Sequence, residues 1–234
     1  MPTNSNAAAL KVLSGNGPRA AVRELCRSFG DAHGVAIDLA FDVNPEVIRR
    51  GEAGEAFDVA IGNPPTIEQL IGSGKVVPGS LTDFGRSGLG VAVRSGAPKP
   101  DLTSLEAFKR ALLACRAVAF PGEGASGRYF VSVVERLGIA REMQDRLMPM
   151  AAEECVEVVA RGGADMVVVV ATRIVDVPGV DYAGPIPEAL QTAIGFAAGL
   201  STSAGEPRMA QALIRFLAAP EAKTTLRAKG VEPI

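Results

Sequence analysis

Residues 10–19 read Leu-Lys-Val-Leu-Ser-Gly-Asn-Gly-Pro-Arg, an apolar run that stops in a Ser14–Gly17 turn and then meets a proline. Pro18 suits the first position of a helix, because its missing N–H would be unpaired there in any case. A helical pattern runs on from Ala20 to Phe29. Such a turn presents free backbone N–H groups at the positive end of a helix dipole, which is anion-binding chemistry. The arrangement recurs where Ile37–Phe41 leads into Asp42-Val43-Asn44-Pro45, and where Phe57–Ile61 leads into Gly62-Asn63-Pro64-Pro65. Three like turns in the first 65 residues predict one ligand crevice. A further small-residue turn, Gly124–Gly127, follows the apolar segment Ala117–Phe120 and is expected to meet the turns at Ser14–Gly17 and Asp42–Pro45.

The side chains around these turns are amides (Asn16, Asn44, Asn63), hydroxyls (Ser14, Ser126) and cations (Arg19, Arg128, Arg173), with Gly17 and Gly127 offering backbone donors. Arginine forks match carboxylates in a bidentate fashion, whereas hydroxyl cages suit small, dehydrated oxyanions. The set therefore predicts an organic anion such as a di- or tricarboxylate. Each residue also has a plainer reading. Asn44 and Asn63 precede prolines and have the composition of helix caps. Arg19 and Arg128 fall in first helical turns, where a cation opposes the dipole, and solvated surface charge explains them equally well. His33, in Asp-Ala-His-Gly, reads as surface. Glu123 is the candidate base if protons are moved next to a carboxylate; a solvated loop carboxylate is its plainer reading. No nucleophile–histidine motif, Walker loop, dinucleotide fingerprint or metal-ligand cluster is apparent. No cofactor or metal is expected.

Composition bounds the rest. A 234-residue chain can bury a substantial core in one or two lobes. With 47% hydrophobic and 21% charged residues it is ordinary for a globular protein. Its net charge of −2 points to neither nucleic acid nor an anionic membrane. Trp is absent and Tyr occurs twice, which weighs against a sugar site built on aromatic platforms. Cys26, Cys115 and Cys155 are odd in number and lack C-x-x-C spacing, so buried, inert thiols are expected. The longest apolar run, Met166–Ala171, is strand-sized, so no membrane span is expected. Met1–Ala9 is small and polar with neither a basic start nor an apolar stretch. The chain is therefore expected to be cytoplasmic, or periplasmic if a leader has been removed.

The elements that must position these turns alternate. Strand, helix, strand, helix, strand, helix fill the first 75 residues, and helices of about ten residues between strands indicate right-handed parallel βαβ units. Leu89–Val93 and Thr192–Leu200 read as further strands, and Met166–Ala171 as a buried parallel one. Thr103-Ser104-Leu105-Glu106 has capping-box spacing before a helix over 107–114. Arg128–Leu137 and Cys155–Ala160 read as helices, and 209–229 as two closing helices parted at Pro220.

Four segments carry a resemblance: the Val12-Leu13-Ser14 turn with its helix; Ile48-Arg49-Arg50-Gly51-Glu52-Ala53-Gly54-Glu55-Ala56-Phe57-Asp58-Val59; Gly122–Tyr129 with Glu135-Arg136-Leu137-Gly138; and Leu213–Ala222 with Leu226 and Gly230. Through them the chain, from Leu10 to Pro233, resembles type II solute-binding proteins of ABC transporters, in particular the molybdate-binding-like group. The resemblance implies an α/β fold of two lobes, each a mainly parallel sheet flanked by helices, with a ligand cleft between them. It places residues 1–88 and 192–234 in lobe one and 89–191 in lobe two, with crossing strands near Leu89–Val93 and Thr192–Ala198 as hinge. It implies a monomer that binds a small anion and, if exported, serves an ABC permease. Where that group uses serines and a tyrosine, this chain has Asn16, Gly17, Asn44 and Pro45, and Val169 or Val170, so a carboxylate is expected over molybdate. Proteins of this fold also include isomerases of aconitate, which gives the alternative function, with Glu123 as the base.

Overall fold

A computed structural model describes residues 9–151 and 154–234; the expectation for the polar amino terminus falls mostly on residues 1–8, outside that range. The chain divides into two compact units, the described residues up to Arg86 together with Ile194–Ile234, and Ser87–Ala193.

The first unit opens with β1 (Leu10–Gly15), α1 (Arg19–His33), β2 (Ile37–Asp42), α2 (Asn44–Glu52), β3 (Val59–Gly62), α3 (Pro64–Gly72) and β4 (Thr82–Ser87). β1 lies between β2 and β3 and runs parallel to both, as the alternating pattern predicts. The second unit contains β5 (Leu89–Arg94), α4 (Leu105–Ala114), β6 (Val118–Pro121), α5 (Gly124–Arg136), α6 (Ala140–Met143), β7 (Leu147–Met150), α7 (Glu154–Ala160), β8 (Met166–Val170) and β9 (Val180–Pro185). The chain then returns to the first unit through β10 (Ile194–Leu200), α8 (Pro207–Leu217), α9 (Lys223–Ala228) and β11 (Glu232–Pro233). The sheets run β11-β4-β10-β3-β1-β2 and β7-β6-β8-β5-β9.

Each sheet is covered on both faces, which is why its central strands are uniformly apolar. On one face of the first sheet, Ala21, Val22, Leu25, Cys26 and Phe29 of α1 meet Leu10, Val12 and Phe196 and the α8 residues Leu213 and Leu217. On the other, Val47, Ile67 and Leu70 pack against Leu13 and Ala60. In the second unit Phe108, Leu112, Phe130 and Val133 cover one face, and Cys155, Val156 and Val159 the other. No helix among the described residues is long and apolar enough to cross a membrane.

Several elements differ from the sequence reading. Each sheet has a parallel core of three strands, but β10 is antiparallel to β3, and β5 is antiparallel to both β8 and β9. Leu89–Val93, expected as a crossing strand, is hydrogen-bonded along both edges inside the second sheet, and the chain passes between units at Arg86/Ser87 and Ala193/Ile194. Helix α1 outruns Phe29 to His33 and stops at Gly34, whose φ of 65° suits glycine. Pro18 is its N-cap rather than its first helical residue. Strands β4, β7 and β9 were not legible; β7 carries Pro149 and lies at a sheet edge, where proline is tolerated. The α4 cap is Ser104, whose Oγ accepts from Ala107 N at 3.1 Å, while Thr103 binds Asp101.

Candidate functional site

The register of the first sheet brings the ends of its parallel strands together. Gly15 lies beside Asp42, Ser14 beside Ile61, and Gly62 beside Ala197 of the antiparallel β10. The turns that follow are packed so closely that a Cβ at their glycines would press on a neighbouring side chain. A Cβ on Gly15 would overlap Asn44 Oδ1 and lie 3.6 Å from the Gly62 Cα. A Cβ on Gly62 would lie 3.2 Å from the same Oδ1, and one on Gly17 would lie 2.7 Å from Phe196 Cε1. The turns at Ser14–Gly17, Asp42–Pro45 and Gly62–Pro65 thus form one cluster.

Their donors are not equivalent. Gly17 and the first residues of α1 follow Asn16, whose own N–H is bonded to Asp42 O at 2.8 Å. In α2, Glu46 and Val47 N–H bond back to Val43 O, and Pro45 has no N–H, so Asn44 is the remaining first-turn donor. In α3, Pro64 and Pro65 have none, and Thr66 N–H bonds to Asn63 O at 2.8 Å. The third turn therefore lacks the backbone donors expected of it.

Among the side chains, Asn44 does not cap α2; the N-cap is Val43, and it makes no side-chain cap bond. Asn63 is the N-cap of α3, yet its side chain makes no cap bond either. The plainer capping reading thus gives the position of Asn63 but not that of Asn44, whose amide instead turns inward over Gly15 and Gly62. Asn16 Oδ1 is closed off from solvent and has no hydrogen-bond partner. A buried, unpaired acceptor costs about 1–3 kcal/mol, and a half-turn of the amide puts the Nδ2 donor in its place. Ser14 is fully buried, and its hydroxyl donates to Gly15 O at 3.0 Å, which makes it a turn-holding group rather than an open ligand donor. Asp42 is answered by Val43 N–H at 2.9 Å and by Arg50 at 3.4 Å. Arg19 is exposed and directs its guanidinium over Phe41, 4.9 Å from the ring centroid.

In the second unit, β6 leads through Gly122 and Glu123 into α5. Glu123 is the N-cap, exposed and without a side-chain cap bond. Ser126, Gly127 and Arg128 lie in the first helical turns of α5; Ser126 is half-buried and Arg128 exposed. Gly127 has a packing reason of its own, since a Cβ there would overlap the Pro121 carbonyl oxygen. Arg173 ends the short 3-10 turn Ala171–Arg173 after β8 and is exposed. The tyrosines lie elsewhere: Tyr129 donates to Leu190 O at 2.9 Å, and burial pushes the Tyr182 phenol up to about 12.

Sequence reasoning placed Gly15 and Gly62 in the turns of the first cluster but not the packing that requires glycine there, and it passed over Phe196. Glycine at the last position of two neighbouring parallel strands was the available signal for that packing. Phe196 carried none, because its place depends on β10 returning from 130 residues downstream of β3 to pair with it.

Residues 10–232 match the family described as bacterial extracellular solute-binding protein. A Pseudomonas protein named aconitate isomerase is 30% identical over 231 residues, covering 96% of this chain and 88% of that protein. The fold is similar to that of the substrate-binding domain of a putative molybdenum ABC transporter from Clostridium difficile, with a TM-score of 0.80, 14% identity and 97% and 99% of the two chains covered. It is also similar to the Azotobacter vinelandii periplasmic molybdate-binding protein, with a TM-score of 0.68, 21% identity and 95% and 98% covered. With its two helix-flanked sheets and a match along nearly its whole length, the chain belongs to the bacterial extracellular solute-binding protein family.

Proposed function

We propose that this solute-binding protein takes a small polycarboxylate, with aconitate the first compound to test. The observation that carries the reading is the half-buried Asn16, whose Oδ1 is closed off without a hydrogen-bond partner, in the same turn cluster as an inward-turned Asn44 and the start of α1. An amide that rotates about its last bond presents Nδ2 to a carboxylate, and a carboxylate also suits the positive end of a helix dipole. A hydroxyl cage for a tetrahedral oxyanion finds less support here, since the Ser14 hydroxyl is bonded to Gly15 O. In this reading Asn16, Gly17, Asn44 and Asn63 contact the ligand from the first unit with Arg19 at the rim, and Ser14 holds the turn. Ser126, Gly127, Arg128 and Arg173 are the residues that the same reading assigns to ligand contact from the second unit. As a family member serving transport, the protein would hand its ligand to an ABC permease on the periplasmic side.

The test is thermal stabilisation by cis-aconitate, trans-aconitate, citrate, molybdate and sulfate. A ligand at 100 times its Kd adds about 2.7 kcal/mol, which raises the midpoint of a chain of this size by roughly 5–10 °C. The reading expects that rise with a polycarboxylate and fails if molybdate alone produces it.

A second reading is favoured by the 30% identity to a protein named aconitate isomerase. Here the chain itself moves a proton next to a carboxylate, with the exposed and uncapping Glu123 as the base. Losing a general base typically costs 10²–10⁴-fold in rate. Incubation with cis- or trans-aconitate in deuterated water separates the readings. Conversion or deuterium uptake that Glu123→Gln abolishes establishes the isomerase; binding without either leaves a transport receptor.

A further inference from the structure

We infer that the groove between α1 and the outer edge of β2 is a docking site for an acidic, extended segment of a partner polypeptide, which adds to the six-stranded sheet as a further strand. The groove encloses about 850 Å³, with Arg19, Arg23 and Arg27 along its wall and Ile37, Leu39 and Phe41 along its floor. The inference concerns the first unit alone and does not rest on the polycarboxylate reading.

Backbone and charge independently favour such an occupant. Among the described residues β2 has β1 on one side and no strand on the other. Leu10 N–H donates to Ala36 O, and Asn16 N–H to Asp42 O. Residues 36, 38, 40 and 42 therefore turn their polar backbone groups toward β1, and alternation sends those of Ile37, Leu39 and Phe41 outward. The open edge thus offers three N–H and three C=O groups, and the side chains of the same three residues floor the groove.

The wall supplies the charge. Arg19, Arg23 and Arg27 form one helix row, and among the described residues none of them makes an ion pair. Arg19 and Arg23 lie over the Phe41 ring, 4.9 and 5.6 Å from its centroid, which holds both guanidinium groups at the Phe41 end of the edge. Asp31 is the one acid among the lining residues. Four helical residues rise about 6 Å, so the Cα atoms of the arginine row span about 12 Å. Alternate side chains of an added strand lie about 6.6 Å apart, so three acids at i, i+2 and i+4 span about 13 Å. The span of the row's Cα atoms matches that of the three acids, and the unpaired backbone groups along β2 suit an extended chain rather than a small anion. Main-chain pairing gives affinity and alternate side chains give selection in this mode of recognition.

The probe is a fluorescein-labelled Thr-Glu-Thr-Glu-Thr-Glu-Thr peptide, titrated with the full chain at low ionic strength and followed by anisotropy. We expect it to bind at least 10-fold more tightly than a permuted peptide with its three glutamates contiguous. The same margin is expected over an alternating peptide N-methylated at the residues that pair with β2, which leaves charge and protein untouched. The doubly exposed variant Arg23→Glu/Arg27→Glu, checked by circular dichroism for an unchanged fold, should lose binding by 10-fold or more. Equal binding of the permuted or N-methylated peptide, absence of binding, or displacement of the peptide by equimolar citrate would overturn the inference.

Discussion

Replacing Gly127 by alanine tests how closely the first turn of α5 must approach the end of β6. A Cβ at this position would overlap the Pro121 carbonyl oxygen and lie 2.8 Å from its carbon, against the 3.4 Å at which ordinary contact begins. The obstacle is backbone, so no side chain can rotate away; the start of α5 must retreat, and by more than the carbon contact alone requires, because the oxygen is nearer still. That motion loosens Phe130 and Val133, both buried against Phe108 and Leu112. Forcing an extra methyl into a closely packed site typically costs about 1–3 kcal/mol. At roughly 2–4 °C per kcal/mol for a chain of this size, the melting midpoint of Gly127→Ala should fall by about 2–12 °C. The comparison is Gly72→Ala at the end of α3, where nothing lies within 4 Å of an added Cβ. Alanine's better helix propensity should leave that variant unchanged or slightly more stable. Differential scanning fluorimetry of the two variants and the parent decides the matter. A Gly127→Ala midpoint equal to that of Gly72→Ala would refute the packing argument.

Three further outcomes are expected. Gly15→Ala meets the flexible end of Asn44 rather than backbone, so it should cost less than about 1 kcal/mol of stability while weakening polycarboxylate binding about 10-fold or more by calorimetry, the worth of a charge-assisted hydrogen bond; unchanged affinity would remove Asn44 from the site. Arg116 donates to Asp165 through its side chain and through its backbone N–H at 2.6 Å, and these bonds hold the carboxyl below the usual range. Because the folded-state pKa is depressed, that stabilisation is present above the unfolded value of about 3.9 and is lost as pH falls through the folded one. The midpoint difference between parent and Asp165→Asn should therefore be constant from pH 5 to 7, as roughly set by those values, and shrink in more acid solution. Burial pushes the Cys26 thiol up to about 12 and Cys115 up to about 11, and Cys155 is fully buried. Ellman's reagent should find no rapidly reacting thiol in the native protein at pH 8 and three after unfolding, a test of inert cysteines by thiolate access.

The sequence determined by itself what depends on neighbours along the chain. Apolar runs ending in glycine, asparagine and proline set β1, β2 and β3 with their following helices, and one-directional βαβ crossovers require such strands to lie parallel with their ends together. Those local rules were enough to bring Asn16, Asn44 and Asn63 to one end of one sheet. They did not fix which atoms face inward. Asn44 has the composition of a cap, and only the approach of β1 and β3 at Gly15 and Gly62 leaves its amide a place inside the turn. Ser14 looks like an open hydroxyl until burial directs it to the Gly15 carbonyl. The antiparallel strands escaped for a related reason. β9 owes its place to pairing with β5, and β10 to pairing with β3, across more than 80 residues in each case. Half-buried segments such as Val-Asp-Tyr-Ala-Gly-Pro carry no periodicity strong enough to announce them. Long-range pairing supplies their backbone partners, and a partner that far along the chain leaves no mark on the residues beside it.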